Sequence, residues 1–236
     1  MGAEIRFRPS GDCALTVEFG DRIDRTLNAR VMALHAALAE YGPDGVIETV
    51  PTFRSLLVHY DPLRLPLGEL RDQVNRLVSD DLPEPPVGRT VSLPVCYGGE
   101  HGPDLDQVAE TTGLTAEAVV QAHAGVEHYV YMIGFAPGHP YLGDLPTGLN
   151  LSRRETPRTR VPSGTVAIAI GQTVIYPFDS PSGWHAIGRT PVPLFDIDRS
   201  PPAILGAGDR VHLEAIDAAR YDAIVEEVAA GHYVFS

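Results

Sequence analysis

Apolar and polar residues alternate over EIRFR (4–8) and CALTVEF (13–19), and Pro9-Ser10-Gly11-Asp12 separates the two runs. This period of two predicts a pair of strands joined by a turn. The period then lengthens. Leu27, Val31, Leu34 and Leu38 fall on one face of a helix predicted from about Ile23 to Glu40, with Gly42-Pro43 as its stop. His35, one residue past Leu34, is placed on the surface of that helix. GVIETV (45–50) and SLLVHY (55–60) predict two more strands. A second helix, Pro66 to about Val78, carries Leu67, Leu70, Val74 and Leu77 on one face and has proline in its first turn. Strands, helix, strands and helix in this order predict a small α+β sandwich over residues 1–80, its helices packed on one face of a sheet.

Periodicity stops in Asp80-Asp81-Leu82-Pro83-Glu84-Pro85-Pro86, which is acidic and proline-rich and reads as a linker. A second domain, residues 89–236, begins with the strand TVSLPV. Two short helices follow, Pro103 to Thr111 stopped by Gly113, and one capped by Thr115 that ends at Gly125. His123, near the end of the latter, reads as structural, in a place where the helix dipole mildly favours a protonated ring. HYVYMI (128–133) reads as a buried strand. TVAIAI and TVIYPF, joined by Gly171-Gln172, predict a hairpin with a type II′ turn. In that hairpin Val166, Ile168 and Ile170 share one face, while Ala167 and Ala169 leave the other shallow. DRVHLEA (209–215) is a last strand, and a helix carrying Tyr221, Ile224, Val225 and Val228 ends at Gly231.

Between Tyr131 and Asp196, glycine and proline make up 17 of 66 residues. Prolines fix φ and glycines permit positive φ, so the backbone is specified at many points. The gaps hold Phe135, His139, Tyr141, Arg158, Arg160, Tyr176, Trp184, His185 and Arg189, side chains that bind ligands when shaped loops present them. The alternative is a tightly turned β-barrel whose turn residues are ordinary.

Composition narrows the chemistry. The chain has 236 residues, 44% of them hydrophobic, with no apolar run long enough for a membrane span and no apolar leader in its first 20 residues; the expectation is a cytoplasmic protein. Cys13 and Cys96 lie far apart with no CxxC pattern, and no metal motif appears, so no metal is assigned. A net charge of −13 disfavours nucleic acid and anionic membranes. All 18 basic residues are arginine, which excludes a Walker-A lysine, a Schiff-base lysine and a Ser–Lys amidase arrangement within the chain. Anions must be met by arginine or by backbone N–H groups.

Ser152–Arg160 holds four arginines and one glutamate, a local +3 in an acidic chain. Arg153 and Arg154 have the alternative of a solvated basic turn. Arg158 and Arg160, set between prolines, are the leading anion-binding and catalytic candidates, since a guanidinium grips phosphate or carboxylate with two hydrogen bonds. His139 is a general-base candidate because its unperturbed pKa lies near neutral pH. Tyr141, Tyr176 and Trp184 are candidates for the wall of a substrate pocket, with core packing as the alternative. Gln172, at the expected hairpin tip, is exposed enough to reach substrate or partner. Arg189 either binds an anion or holds a barrel corner.

GFAPGHPYLGDLP (134–146), PRTRVPSGTVAIAIGQTVIYP (157–177), GWHAIGRTPVPLFD (183–196) and SPPAILGAGDRV (200–211) together resemble the B-subunit family of 5-oxoprolinase, also called allophanate hydrolase subunit 1 or the KipI family. One departure is His139, where members commonly have phenylalanine. The resemblance implies an α+β N-terminal domain followed by a mainly β, cyclophilin-like barrel. It implies a partner, the 5-oxoprolinase C-subunit (allophanate hydrolase subunit 2), and a third component, the A-subunit, in a complex that opens 5-oxoproline to glutamate with ATP. The B- and C-subunits then activate the lactam by phosphorylation, and the ATP is bound with the partner. Two other activities occur among relatives: a carboxyltransferase part acting on urea-like substrates, and inhibition of a sensor histidine kinase.

Overall fold

Two units, Met1–Val87 and Gly88–Ser236, each bury their own apolar faces. The computed structural model describes residues 5–79, 82, 84–85 and 87–234, so Asp80, Asp81, Pro83 and Pro86 of the expected linker lie outside the described residues.

In the first unit, strands β1 (Arg6–Pro9), β2 (Ala14–Glu18), β3 (Val46–Pro51) and β4 (Ser55–Tyr60) form an antiparallel sheet in the order β1-β2-β4-β3. Helices α1 (Arg25–Tyr41) and α2 (Leu67–Ser79) supply Val31, Leu34, Leu38, Leu70 and Val74 to a core shared with Leu15, Val17, Leu56 and Val58. Asp24 caps α1 by accepting from the backbone N–H groups of Thr26 and Leu27 at 2.9 and 3.1 Å, which satisfies donors the helix leaves open. His35 is not a plain surface residue. It is half-buried, with Nδ1 2.7 Å from the Thr49 hydroxyl of β3, because α1 lies along that strand.

The second unit is a closed seven-stranded barrel. Its strands are β5 (Thr90–Tyr97), β6 (Glu127–Ile133), β7 (Pro140–Gly143), β9 (Thr165–Ala169), β10 (Gln172–Ile175), β12 (His185–Arg189) and β13 (Arg210–Ile216). They run in the order β10-β7-β6-β13-β5-β12-β9, and the β9–β10 hairpin closes the ring. Among the described residues only the β5–β13 pair is parallel. Val91, Leu93, Val95, Val166, Ile168, Val211 and Leu213 alternate along their strands into one core. That core also takes Leu105 and Val108 of α3 (Leu105–Thr112), Val119 of α4 (Ala116–Ala124) and Ile224 of α5 (Ala218–Ala229). A small ladder, β8 (Arg158–Val161) with β11 (Ser180–Ser182), stands where the sequence suggested a basic turn.

The hairpin differs from expectation by one residue. Ala169 pairs with Gln172, so the two loop residues are Ile170 and Gly171, both with positive φ (47° and 74°). Two positive-φ residues make the turn type I′ rather than II′. Ile170 therefore leaves the Val166–Ile168 face and stands half-exposed, its N–H donating to the Leu151 carbonyl at 2.6 Å. Gln172 moves from the tip into β10 and is buried, which removes the reason to expect it to reach substrate or partner.

His123 is structural and stands in the last turn of α4, as expected, but burial disfavours its protonation there. It is fully buried in α4, with Nδ1 2.9 Å from the Tyr97 hydroxyl and Nε2 3.0 Å from the Thr173 hydroxyl. His128 donates from Nε2 to the His123 carbonyl at 2.9 Å. Burial holds both imidazoles below their ordinary pKa, His123 far below, with the neighbouring His128 adding to the effect. In the unfolded chain histidine titrates near 6.5. Below about that pH the unfolded chain binds more protons than the folded one, so stability is lost as pH falls. Urea unfolding should therefore give a smaller free energy at pH 5 than at pH 7.5, and His123→Gln should flatten the difference. A pH-independent free energy across that window would contradict the neutral-histidine network.

Candidate functional site

The shallow face of the β9–β10 hairpin is where the chain builds a pocket. Ala167 and Ala169 present little bulk there, and they pack with Val161, Val174, Tyr176 and Trp184 in a cluster separate from the barrel core. Val174, Tyr176 and Trp184 of this cluster also line a pocket of about 320 Å³. Phe135 and His139 come from the β6–β7 connection, Tyr141 from β7, and Val174 and Tyr176 from β10 and the residues after it. Pro181, Ser182 and Trp184 come from β11 and the approach to β12, while Arg153, Arg154 and Pro157 come from the loop before β8. Concave sites with apolar walls and a few convergent polar groups are where small ligands bind.

Hydrogen bonds fix the walls. The Tyr176 hydroxyl donates to the Ser182 hydroxyl at 2.9 Å, and the Trp184 backbone N–H donates to the same oxygen at 3.0 Å. Burial raises the pKa of both Tyr141 and Tyr176, so both phenols stay protonated at neutral pH. The Arg153 guanidinium lies over the Trp184 ring, 5.9 Å from its centroid, within the range of a cation–π contact. The lining holds two arginines and no carboxylate, so the pocket is positive within a chain of net charge −13.

The loop that carries these arginines is held by a residue the sequence did not single out. Asp104 stands at the start of α3 and is 2% exposed. Its carboxylate accepts from Arg154 Nη1 at 2.7 Å, from Arg158 at 2.5 and 2.6 Å, and from the Ala186 backbone N–H at 2.8 Å. Its own N–H donates to the Ala186 carbonyl at 2.9 Å, so α3 is fastened to β12 on both sides. The close approach needs Gly102, where a Cβ would sit 2.0 Å from the Ile187 carbonyl oxygen. Arg154 also donates its backbone N–H to the Gly183 carbonyl at 2.7 Å. Two of the four arginines in Ser152–Arg160 are thus committed to one buried carboxylate.

The expected site residues separate accordingly. His139, Tyr141, Tyr176 and Trp184 meet in the pocket. Arg158 does not line it and is engaged by Asp104. Arg160 is exposed and paired with Asp179 through Nε and Nη2. Arg189 donates from Nε to the Ser163 carbonyl at 2.8 Å and holds a barrel corner. The premise of a general base at His139 fails: the ring is 2% exposed, and burial pushes its pKa down to about 4, so it is neutral and weakly basic. Arg153, which the sequence left open to a solvated basic turn, lines the pocket, whereas the favoured Arg158 and Arg160 do not. Asp104, which sorts the arginines, lies some 50 positions upstream of Arg154. Among the described residues no group of three or more His, Cys, Asp or Glu side chains is placed to hold a metal ion, and no helix is long and apolar enough to cross a membrane.

Comparison with known proteins gives concordant matches. The family model described as "Carboxyltransferase domain, subdomain C and D" matches residues 5–205. The 5-oxoprolinase B-subunit of Bacillus subtilis (strain 168) is 39% identical over 238 residues, which is 96% of this chain and 99% of that protein. Of solved structures, TTHA0988 superposes with a TM-score of 0.78 at 37% identity over 87% of this chain, yet the chain spans only 40% of that longer one. The urea amidolyase of K. lactis shares the fold with a TM-score of 0.84 at 18% identity, covering all of this chain and 16% of that protein.

The Asp104 clamp has a measurable consequence. Removing a buried carboxylate that pairs with two guanidinium groups leaves those charges uncompensated, at a cost of about 3–5 kcal/mol. Asp104→Ala should lower the unfolding free energy by that order, whereas Arg160→Gln, whose partner is at the surface, should leave the melting temperature nearly unchanged. Equal effects of the two substitutions in chemical denaturation would contradict the clamp.

Proposed function

The chain belongs to the B-subunit family of 5-oxoprolinase, within the carboxyltransferase-domain group, and on that premise we propose that it is a cytoplasmic component of an ATP-dependent 5-oxoprolinase. It acts with the C-subunit to activate the lactam, and the A-subunit completes ring opening to glutamate. The barrel is of the cyclophilin-like type. The observation that carries the reading is the pocket lined by aromatic rings, with two arginines and no carboxylate. 5-Oxoproline is small, cyclic and singly anionic, and its amide nitrogen is uncharged. A positive pocket without a carboxylate suits that charge pattern and leaves the ammonium of the open product without a partner.

The chemistry follows from the stability of an amide. The lactam oxygen attacks the γ-phosphorus of ATP, the P–O bond to ADP breaks, and the ring carbon becomes bonded to a phosphate leaving group. Water then adds at that carbon, the C–N bond breaks to release the amine and leave an acyl phosphate, and a second water hydrolyses the acyl phosphate to the carboxylate and free phosphate. Cations and N–H donors aimed at the transferring charge are what such a step requires. This chain offers no lysine and no phosphate-cradling loop, so the nucleotide enters with the C-subunit. Within the chain, Arg153 anchors the substrate carboxylate, while Asp104, Arg154 and Arg158 hold the loop that presents it. Tyr141, Tyr176 and Trp184 form the walls. Carboxyl transfer to a urea-like substrate is a second reading, favoured by the description of the matching family model. It predicts acceptance of an uncharged amide that needs no arginine.

The purified chain alone should be inert, and 5-oxoproline-dependent ADP release should appear only on assembly with the C- and A-subunits. Arg153→Gln in the assembled enzyme should lower kcat/KM about 10–100-fold, the worth of one charge-assisted contact, with the melting temperature unchanged. Lysine there should rescue only in part, lacking the planar fork. Lactam-dependent ADP release by this chain alone, or full activity of Arg153→Gln, would overturn the proposal.

A further inference from the structure

Phe135 combines two features that stability alone does not explain. Its φ is 70°, in the left-handed region where Cβ crowds the neighbouring carbonyl, so a bulky side chain there is strained. It is also 68% exposed, so its ring gains little from burial within the chain. The turn that carries it has no need of a phenylalanine. The β6–β7 connection closes through the Gly134 N–H to the His139 carbonyl at 3.0 Å and the His139 N–H to the Ala136 carbonyl at 3.1 Å. Pro137 and Gly138 stand at the centre of the inner turn, with Gly138 at φ 72°, the pattern of a type II turn. Glycine or asparagine is the ordinary choice for the φ that Phe135 adopts.

What the phenylalanine adds is a ring at the pocket. It lines the cavity together with Tyr141, Tyr176 and Trp184. Its centroid lies 5.3 Å from that of His139, which meets Tyr141 and Tyr176 at 5.1 and 4.9 Å, and Tyr141 meets Trp184 at 6.4 Å. These contacts form a row of rings, buried at Tyr176 and Trp184 and open at Phe135. Arg153 stands beside Trp184, at the other end of the row from Phe135. Strained residues persist where the ligand uses them, and an exposed ring in the wall of a ligand-sized pocket offers an apolar face. A cation toward one end and an apolar face toward the other describe a small acid with a hydrocarbon edge.

We propose that Phe135 is a specificity-determining residue that touches the ligand, its ring packing on the carbon edge of a small cyclic acid whose carboxylate is held by Arg153. The inference rests on the lactam reading above and adds the group that meets the non-polar part of the ligand. In 5-oxoproline that part is the two methylenes between the carboxylate-bearing carbon and the carbonyl carbon. Packing them on Phe135 removes apolar surface of both from water. The contact is non-covalent and leaves the lactam oxygen free for phosphoryl transfer. A hydroxyl on either methylene would lose its water against the ring, so hydroxylated ring acids are disfavoured.

The chain contains a single tryptophan, and since that residue is Trp184 its fluorescence reports on this pocket. The full chain is titrated with 5-oxoproline and, separately, with cyclopentanecarboxylate, which keeps a hydrocarbon edge and the carboxylate but has no amide. Both acids should change the fluorescence of the wild type. Phe135→Ala and Phe135→Gly should weaken both about tenfold, the worth of one aromatic contact, and Phe135→Leu should recover part of the loss. Phe135→Gly should leave the melting temperature unchanged or raise it, because glycine adopts this φ freely. In the assembled enzyme the loss should appear in KM, with kcat and the affinity for the C-subunit unchanged. Unchanged dissociation constants in Phe135→Ala, a lowered melting temperature in Phe135→Gly, or no response of the wild type to either acid would overturn the inference. So would weaker assembly with the C-subunit as the sole effect, which would make Phe135 a partner contact. The carbocyclic acid separates this from the broader reading. A Phe135-dependent response to it, without lactam-dependent ADP release by the assembled enzyme, would keep the role of Phe135 and remove the 5-oxoprolinase function.

Discussion

A single buried carboxylate determines how the positive end of this barrel is organised. Asp104 takes two guanidinium groups and one backbone N–H, and these partners come from the basic loop, from β8 and from β12. Four arginines in nine residues repel one another, and this carboxylate offsets the charges of Arg154 and Arg158. With it, Arg154 and Arg158 become structural, Arg160 turns outward to Asp179, and Arg153 remains to lie over Trp184 at the pocket. A buried ion cluster is weak evidence for net stability, because desolvation offsets much of the attraction. Its value here is conformational: it holds Arg154 and Arg158, while Arg153 lies over Trp184.

The barrel and the pocket depend on the same alternation. Val166 and Ile168 point into the core while Ala167 and Ala169 point out, so one strand seals the interior and leaves a shallow floor outside. Aromatic rings from four separate segments line the pocket beside the cluster that holds these alanines, and the hydroxyl of Ser182 ties two of them in place. Arg153 and Arg154 also border a second, more polar cavity lined by Gln107, Thr111 and Glu155. The basic loop is therefore a wall common to both cavities.

Elements with a clean local period were legible in the sequence. The helix at Arg25–Tyr41 and the strands at Ala14–Glu18 and Ser55–Tyr60 follow from their hydrophobic spacing, and the Thr115 cap and Gly113 stop carry their chemistry in single residues. What failed was set by register or by distance. A one-residue difference in the turn at Ile170-Gly171 took Gln172 from an exposed tip to a buried strand. The division of labour among the arginines depends on Asp104, whose own surroundings, GPDLDQ, show nothing unusual. His139 was visible as a departure from the family's phenylalanine, but its neutrality comes from burial among three rings that the sequence spreads over some 40 positions. Aromatic residues and prolines marked the site; the charges within it were readable only once folded.

The proposed ligand, a small cyclic carboxylate, rests on membership of the 5-oxoprolinase B-subunit family and on an aromatic pocket with Arg153 and Arg154 in its lining. The most direct measurement is a crystal structure of this chain with 5-oxoproline bound. The account predicts ligand density between Tyr141, Tyr176 and Trp184, with the carboxylate within hydrogen-bond distance of the Arg153 guanidinium. Density elsewhere on the chain, or the ligand reversed with its ring nitrogen toward Arg153, would contradict it.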